Sequence, residues 1–310
     1  MNFPKPLRPG MTIALVAPSG CPRSPEVLPR AASFWESQGY RVVIGESCTA
    51  RHGYLAGPDA LRAGDVNRFF ADDRVDAIFC LRGGYGAARI LPLLDYACIR
   101  RHPKIFVGFS DITALHDALN RYGRLITFHG PNADMAGDTE CASFSLSSLM
   151  TALTRESGYA LRNPEGYPWA TLQGGRAAGE IVGGNLTVLA HSLGTPWTPD
   201  FAGRILLLED VNEPTYRVDE TLVNLKQAGA FDQCAGILLG EFTDCQTEDA
   251  NFGLSIADVL AEIGFPQDKP VLRGIRAGHC RPNMTIPLGV MAEMDADAQT
   301  VRLLTGAVRS

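Results

Sequence analysis

The chain has 310 residues, 45% of them hydrophobic and 20% charged, with a formal net charge of −6. That composition is globular, and the length suits one large domain or two of ordinary size. The mild acidity and lack of a basic run argue against a nucleic-acid partner, and no apolar run is long enough for a membrane span.

In chain order, "TIALVAP" (12–18) reads as a buried strand, and Pro25 to Gly39 as an amphipathic helix with Val27, Leu28, Ala31, Phe34 and Trp35 on its apolar face. "RVVIG" is a second strand, "PDALRAGDVNRFFADD" a helix and "AIFCLR" a third strand. "GAARILPLL" is helical as far as Pro92, and "KIFVGF" is the next strand. "DITALHDALNRYG" is a helix ended by Gly123, and "LITFHG" is a strand. Short, continuously apolar strands alternating with helices predict an α/β fold with a parallel, Rossmann- or flavodoxin-like sheet covered on both faces. Ligands of such sheets bind beyond the carboxyl ends of the strands.

Composition shifts over 157–176, where "SGYALRNPEGYPWATLQGGRAAG" is rich in Gly, Pro and Tyr and reads as a linker or lead-in strand. Beyond it come "EIVGGNLTVLAHSLGTP", the strand "RILLLED", a helix over "VDETLVNLKQAGAF", the strand "GILLGEF" and the helix "SIADVLAEIGF". "MTIPLGVMAEMDADAQTVRLLTG" closes the chain as strands joined by an acidic turn. The expected division is an N-terminal domain over 1–160 and a smaller C-terminal α/β domain with a mixed sheet over 161–310.

The proline-broken N-terminus lacks a signal peptide's apolar core and cleavage site, so the expected location is the cytoplasm. Eight cysteines without a C-x-x-C pair read as reduced thiols, and six histidines show no H-E-x-x-H spacing. Neither a metal nor a cofactor is expected.

Three strand ends could carry chemistry. "GGYGAAR" follows "AIFCLR" and puts three glycines before a helix, either as a plain tight turn or as backbone N–H groups turned toward an anion or oxyanion. It matches neither G-x-G-x-x-G nor a phosphate loop. Ser110 follows "KIFVGF" directly before a helix, as an N-cap or as a nucleophile at a strand–helix elbow beside the helix's positive end. A serine nucleophile needs a base, and the base needs an orienting carboxylate. Glu209 closes "ILLLE" at another strand end, on a solvated rim or in a cleft. Among the histidines, His279 lies in the turn "RAGHC", His129 ends the strand in "TFHGP", and His116 reads as a helix-surface residue. Spacing alone does not choose between His279 and His129.

Six motifs in order, "FCLRGGYGAARIL", "VGFSDITALH", "TFHGP", "GEIVGGNLTVLAHSLGTPW", "ILLLEDVNEPTYRVDETL" and "RAGHC", resemble the LD-carboxypeptidases of serine peptidase family S66. The likeness runs from "ALVAPSG" to "TIPLG", nearly the whole chain. It implies Ser110 as nucleophile, Glu209 and His279 as its partners, and an oxyanion hole from the backbone N–H groups of Asp111 and Gly84, with Gly83 as the alternative to Gly84. It also implies removal of the terminal D-alanine of murein tetrapeptides in cytoplasmic cell-wall recycling. Arg82 is a candidate for binding the substrate carboxylate, and a homodimer is the expected assembly. Microcin C immunity peptidases resemble the chain too; their nucleotide analogues call for stacking aromatics, for which Phe242 and Phe252 are the candidates. A non-catalytic two-domain peptide-binding protein is the alternative of another class.

Overall fold

The structure, a computed structural model, describes residues 1–135, 142–246 and 253–310. Its first half contains β1 (Thr12–Val16), α1 (Val27–Ser37), β2 (Arg41–Ile44), α2 (Asp59–Ala71), β3 (Ala77–Cys80), α3 (Ala87–Ile90), α4 (Tyr96–Arg101), β4 (Ile105–Gly108), α5 (Thr113–Arg121), β5 (Thr127–His129) and α6 (Ala142–Thr154). The second contains β6 (Ala160–Leu161), β7 (Ala170–Gln173), β8 (Arg176–Asn185), α7 (Leu186–His191), β9 (Ile205–Val211), α8 (Thr215–Gln227), α9 (Ala230–Gln233), β10 (Gly236–Thr243), α10 (Ile256–Glu262), β11 (Val271–Arg273), β12 (Ile286–Leu288), β13 (Met291–Asp295) and β14 (Thr300–Leu303). Helices α4 and α6 have no counterpart among the sequence-predicted elements. The six-residue α4 is too short for a periodic signal, and its start is marked only by the Asp95 carboxylate accepting the Cys98 N–H at 2.9 Å.

The first sheet has the order β2-β1-β3-β4-β5-β12, and its first five strands are parallel. This is the flavodoxin-like arrangement, with its reversal of strand order between β1 and β3. Alternate residues of each strand serve opposite faces. Ile13 and Leu15 belong to one apolar cluster while Ala14 and Val16 belong to another, under α2, α3 and α5. The sixth strand comes from far along the chain: β12 pairs antiparallel with β5, Ile286 opposite His129. A cut at residue 160 therefore separates this strand from its sheet.

The second sheet is mixed, in the order β6-β14-β13-β8-β9-β10-β11-β7. Strands β8, β9, β10 and β11 are parallel, with antiparallel partners on both sides. The segment read as a linker or lead-in contributes β6 and β7 to it.

One continuous apolar cluster joins the two halves, running from Leu15, Phe79 and Val107 to Ile181, Leu207 and Leu238. At its edge the contact turns polar. The Asn185 N–H donates to Thr113 Oγ1 at 3.0 Å, so the end of β8 is tied to the first turn of α5. Gly184 precedes it with φ +146°, and a Cβ there would lie 2.6 Å from Thr113 Oγ1 and 3.0 Å from His129 Nδ1. Gly184→Ala should therefore push the halves apart and cost about 1–3 kcal/mol. Thermal unfolding of the purified variant checks this, and an unchanged midpoint would contradict it.

Candidate active site

Ser110 stands where β4 gives way to a single turn of 3-10 helix over Ser110–Ile112 that runs into α5. Its φ is +70°, the left-handed region that a non-glycine residue occupies at a cost of about 1–3 kcal/mol. Surrounding contacts hold it there. Gly108 leaves no room for a side chain, since a Cβ would lie 3.0 Å from both Cys80 Cβ and Ile112 Cγ2. Asn132 Oδ1 accepts the Phe109 N–H at 3.2 Å, keeping the residue before the serine extended. The serine hydroxyl caps neither the short turn nor α5. Instead Ser110 Oγ lies 2.9 Å from His279 Nε2.

His279 is reached from the second sheet. Its Nδ1 is 2.7 Å from Glu209 Oε2, and the same oxygen accepts the His279 backbone N–H at 3.1 Å. A carboxylate only accepts, so Nδ1 carries the proton and Nε2 is left to accept the Ser110 hydroxyl. Glu209 lies within the buried run of β9, one residue before the buried Asp210, and has no exposed surface. Its room comes from two glycines: a Cβ on Gly278 would sit 2.2 Å from Glu209 Oε2, and one on Gly240 2.9 Å from Glu209 Cβ. The Phe109 ring packs on the imidazole, centroids 4.8 Å apart, and limits its rotation. Three side chains that spacing could not connect thus form one hydrogen-bonded chain: serine after β4 of the first sheet, glutamate on β9 of the second, and histidine in the loop from β11 to β12 that links the two sheets.

The glycine turn also reaches the serine. A Cβ on Gly83 would lie 2.8 Å from Ser110 Cβ and 3.1 Å from its Oγ, so Gly83 packs directly against it, while Gly84 follows with φ +111°. Asp111 is buried, and its carboxylate accepts the Ser19 hydroxyl and, at 2.8 Å, the Ala87 N–H. Burial raises its pKa against the pull of those hydrogen bonds. Arg82 is half-buried and donates from Nη1 to the Cys21 carbonyl at 2.7 Å.

The other histidines do not join this chain. His129 is fully buried among Phe109, His116 and Gly184, and both ring nitrogens lack hydrogen-bond partners among the described residues. Burial holds its pKa well below the usual value, so it is neutral. His116 is not on the helix surface as its position in the sequence suggested; it has no exposure and donates from Nε2 to the Gly108 carbonyl at 2.8 Å. Its pKa falls to about 4 by burial. Cys280 beside His279 stays a thiol, its pKa pushed up to about 12 by burial. The seven described cysteines are free; Cys141 and Phe252 lie outside the described residues, and Phe242 is half-buried on β10. Among the described residues no group of three His, Cys, Asp or Glu side chains could hold a metal ion, and no helix is long and apolar enough to cross a membrane.

Residues 13–130 match the LD-carboxypeptidase N-terminal domain and residues 178–294 the LD-carboxypeptidase C-terminal domain. The chain belongs to the LD-carboxypeptidase family, peptidase family S66. It is therefore a hydrolase of the serine-peptidase class. A probable murein peptide carboxypeptidase of Bacillus subtilis is 37% identical over 307 residues, 99% of this chain and 96% of that protein. The murein tetrapeptide carboxypeptidase of Pseudomonas aeruginosa is 32% identical over 92% of this chain and 93% of its own. The solved apo structure of the microcin C7 self-immunity protein MccF superposes with a TM-score of 0.92 at 26% identity, covering all of both chains.

Several residues of this family member's site carry no signal in spacing or composition. Phe109, Asn132, Gly240 and Gly278 matter through what they touch, and Ser19 meets Asp111 across 92 positions of chain. Gly278 offers a direct check. Gly278→Ala would drive a methyl into Glu209 Oε2 and should displace the carboxylate from His279. The low-field Nδ1–H proton resonance of His279, assigned by its loss in His279→Ala, should then disappear or move upfield. An unchanged resonance in the folded variant would contradict the packing.

Proposed function

We propose that the protein is a serine-type LD-carboxypeptidase that removes the terminal D-alanine from murein tetrapeptides, cutting the bond between the L-centre of the diamino acid and D-alanine, in cytoplasmic peptidoglycan recycling. The observation that carries the reading is the hydrogen-bonded chain Ser110 Oγ, His279 Nε2, His279 Nδ1, Glu209 Oε2. Membership of the family and the names of the two bacterial relatives support the reaction and substrate class.

In this mechanism Ser110 Oγ attacks the scissile carbonyl while its proton passes to His279 Nε2. Glu209 holds the tautomer that makes Nε2 the acceptor and offsets the imidazolium charge. Backbone N–H groups of Asp111 and Gly84, or Gly83, stabilise the oxyanion. His279 returns the proton to the departing D-alanine amine. Water, deprotonated by the same imidazole, then hydrolyses the acyl-enzyme and frees the tripeptide. Arg82 is our candidate for binding the substrate carboxylate.

The decisive assay incubates purified protein with murein tetrapeptide and follows loss of alanine by mass spectrometry. Ser110→Ala, Glu209→Gln and His279→Ala should each remain folded and lose activity by roughly a thousandfold or more, with effects far from additive because the groups act as a unit. His129→Ala should do less damage than His279→Ala; the reverse ranking would assign the base to His129.

A second outcome concerns stereochemistry. The attack direction and the oxyanion position together fix the carbonyl pose, so inverting the acyl-side centre forces its side chain into the wall. Release of D-alanine from the L,D bond of a tetrapeptide should exceed that from the D,D bond of the matching pentapeptide by about a hundredfold, near 2.7 kcal/mol. Equal initial rates would reduce the reading to a broader serine peptidase.

The superposition on MccF favours a second reading, cleavage of peptidyl-aminoacyl nucleotide analogues. Release of a nucleotide from an aminoacyl sulfamoyl adenosine substrate, with murein tetrapeptide left intact, would select it.

A further inference from the structure

The chain from Ser110 to Glu209 orders proton transfer, but it does not set where a carbonyl oxygen would rest. That position depends on how three loops meet at the carboxyl end of the first sheet, around the reversal between β1 and β3. They are the loop after β1 with Pro18, Ser19 and Gly20, the Gly83–Gly86 turn after β3, and the Ser110–Asp111 elbow after β4.

Backbone contact joins the first two, since the Gly20 N–H donates to the Gly83 carbonyl at 3.0 Å. The Ala56 N–H also donates to the Ser19 carbonyl at 3.1 Å, and buried polar side chains tie the loops further. The Asp111 carboxylate spans all three loops, accepting from the Ser19 hydroxyl of the first and the Ala87 N–H that ends the second. From below, Arg62 of α2 points up with no exposed surface; its Nη1 donates to the Pro18 carbonyl at 2.5 Å and the Gly86 carbonyl at 2.8 Å. Its Nη2 pairs with Asp59, which Arg89 shares, and its Nε has no partner among the described residues. A buried guanidinium and a buried carboxylate cost desolvation that an apolar pair of similar volume would not incur. Packing alone therefore does not account for these two charges at this spot, whereas fixing three loop ends does.

We propose that Asp111, Ser19 and Arg62 are positioning residues for the oxyanion half of the site, their side chains holding the Gly83–Gly84 turn and the Asp111 backbone at a fixed distance from Ser110. The assignment rests on Ser110 being the nucleophile. The strut works on the geometry reached in the transition state, because a ground-state carbonyl needs no such placement, so its loss reads out in kcat rather than KM.

The experiment compares wild type with Ser19→Ala, Asp111→Asn and Arg62→Lys in two measurements: steady-state kinetics on murein tetrapeptide, and inhibition by a peptide boronic acid with boron in place of the scissile carbonyl carbon. Ser110 Oγ adds to that boron, its proton passes to His279, and one boronate oxygen takes the oxyanion position. Ser19→Ala, the mildest change, should lower kcat by roughly 10–100-fold with KM within about threefold, and should weaken the boronate by the same factor. Asp111→Asn and Arg62→Lys should move both quantities in the same ratio. Wild-type kcat and boronate affinity in folded Ser19→Ala, or a rise in KM alone, would overturn the strut while leaving the nucleophile assignment intact. Failure of the boronate to discriminate wild type from Ser110→Ala would overturn the nucleophile assignment itself, and the strut with it.

Discussion

The site depends on a carboxylate that has been taken out of water and given one partner. Glu209 has no exposed surface, its Oε2 serves both the backbone and the ring of His279, and its Oε1 is unpartnered among the described residues. A carboxylate in that position is costly unless its hydrogen bonds are well formed. The bond to Nδ1 therefore governs the imidazole's orientation and tautomer, and with them the direction in which Nε2 faces. Two glycines and one phenylalanine ring serve that single contact, by leaving space or by limiting rotation.

Holding Ser110 at the other end requires the two sheets to keep a fixed relation. The apolar cluster that runs through both, the return of β12 to the edge of the first sheet, and the tie from Asn185 to Thr113 supply it. The end of β4 and the loop between β11 and β12 can then hold the Ser110 hydroxyl against the His279 ring. The same rigidity sustains the left-handed backbone at Ser110. Gly83 on one side and the Phe109–Asn132 bond on the other leave it little else to adopt.

Three histidines sit within two layers of Ser110, and chemistry distinguishes them only by their neighbours. Among the described residues, His116 holds the carbonyl of Gly108, His129 is neutral with no hydrogen-bond partner, and of the three only His279 has a carboxylate behind it. This is why residue type and spacing left His129 open against His279. His116 shows the opposite limit: its place in the helix suggested the surface, but its ring lies against the first sheet, beside Phe106 and His129 and bonded to the Gly108 carbonyl.

What the sequence determined by itself was local. Continuous apolar runs such as "KIFVGF" and "ILLLE" bury strands on both faces, and the candidate residues Ser110 and Glu209 stand just after or near the carboxyl ends of those strands. Its motifs also carried the family, since six short stretches in fixed order are legible without any coordinates. The family resemblance named Ser110, Glu209 and His279 together, but only the tertiary structure puts Ser110 against a histidine 169 positions away rather than at a cap of its own helix, with a glutamate 70 positions earlier behind that histidine. Tertiary structure likewise decided that β12 completes the first sheet. Local propensity acts over a few residues, whereas hydrogen bonds across such separations exist only once the packing of the two sheets has fixed where each strand ends.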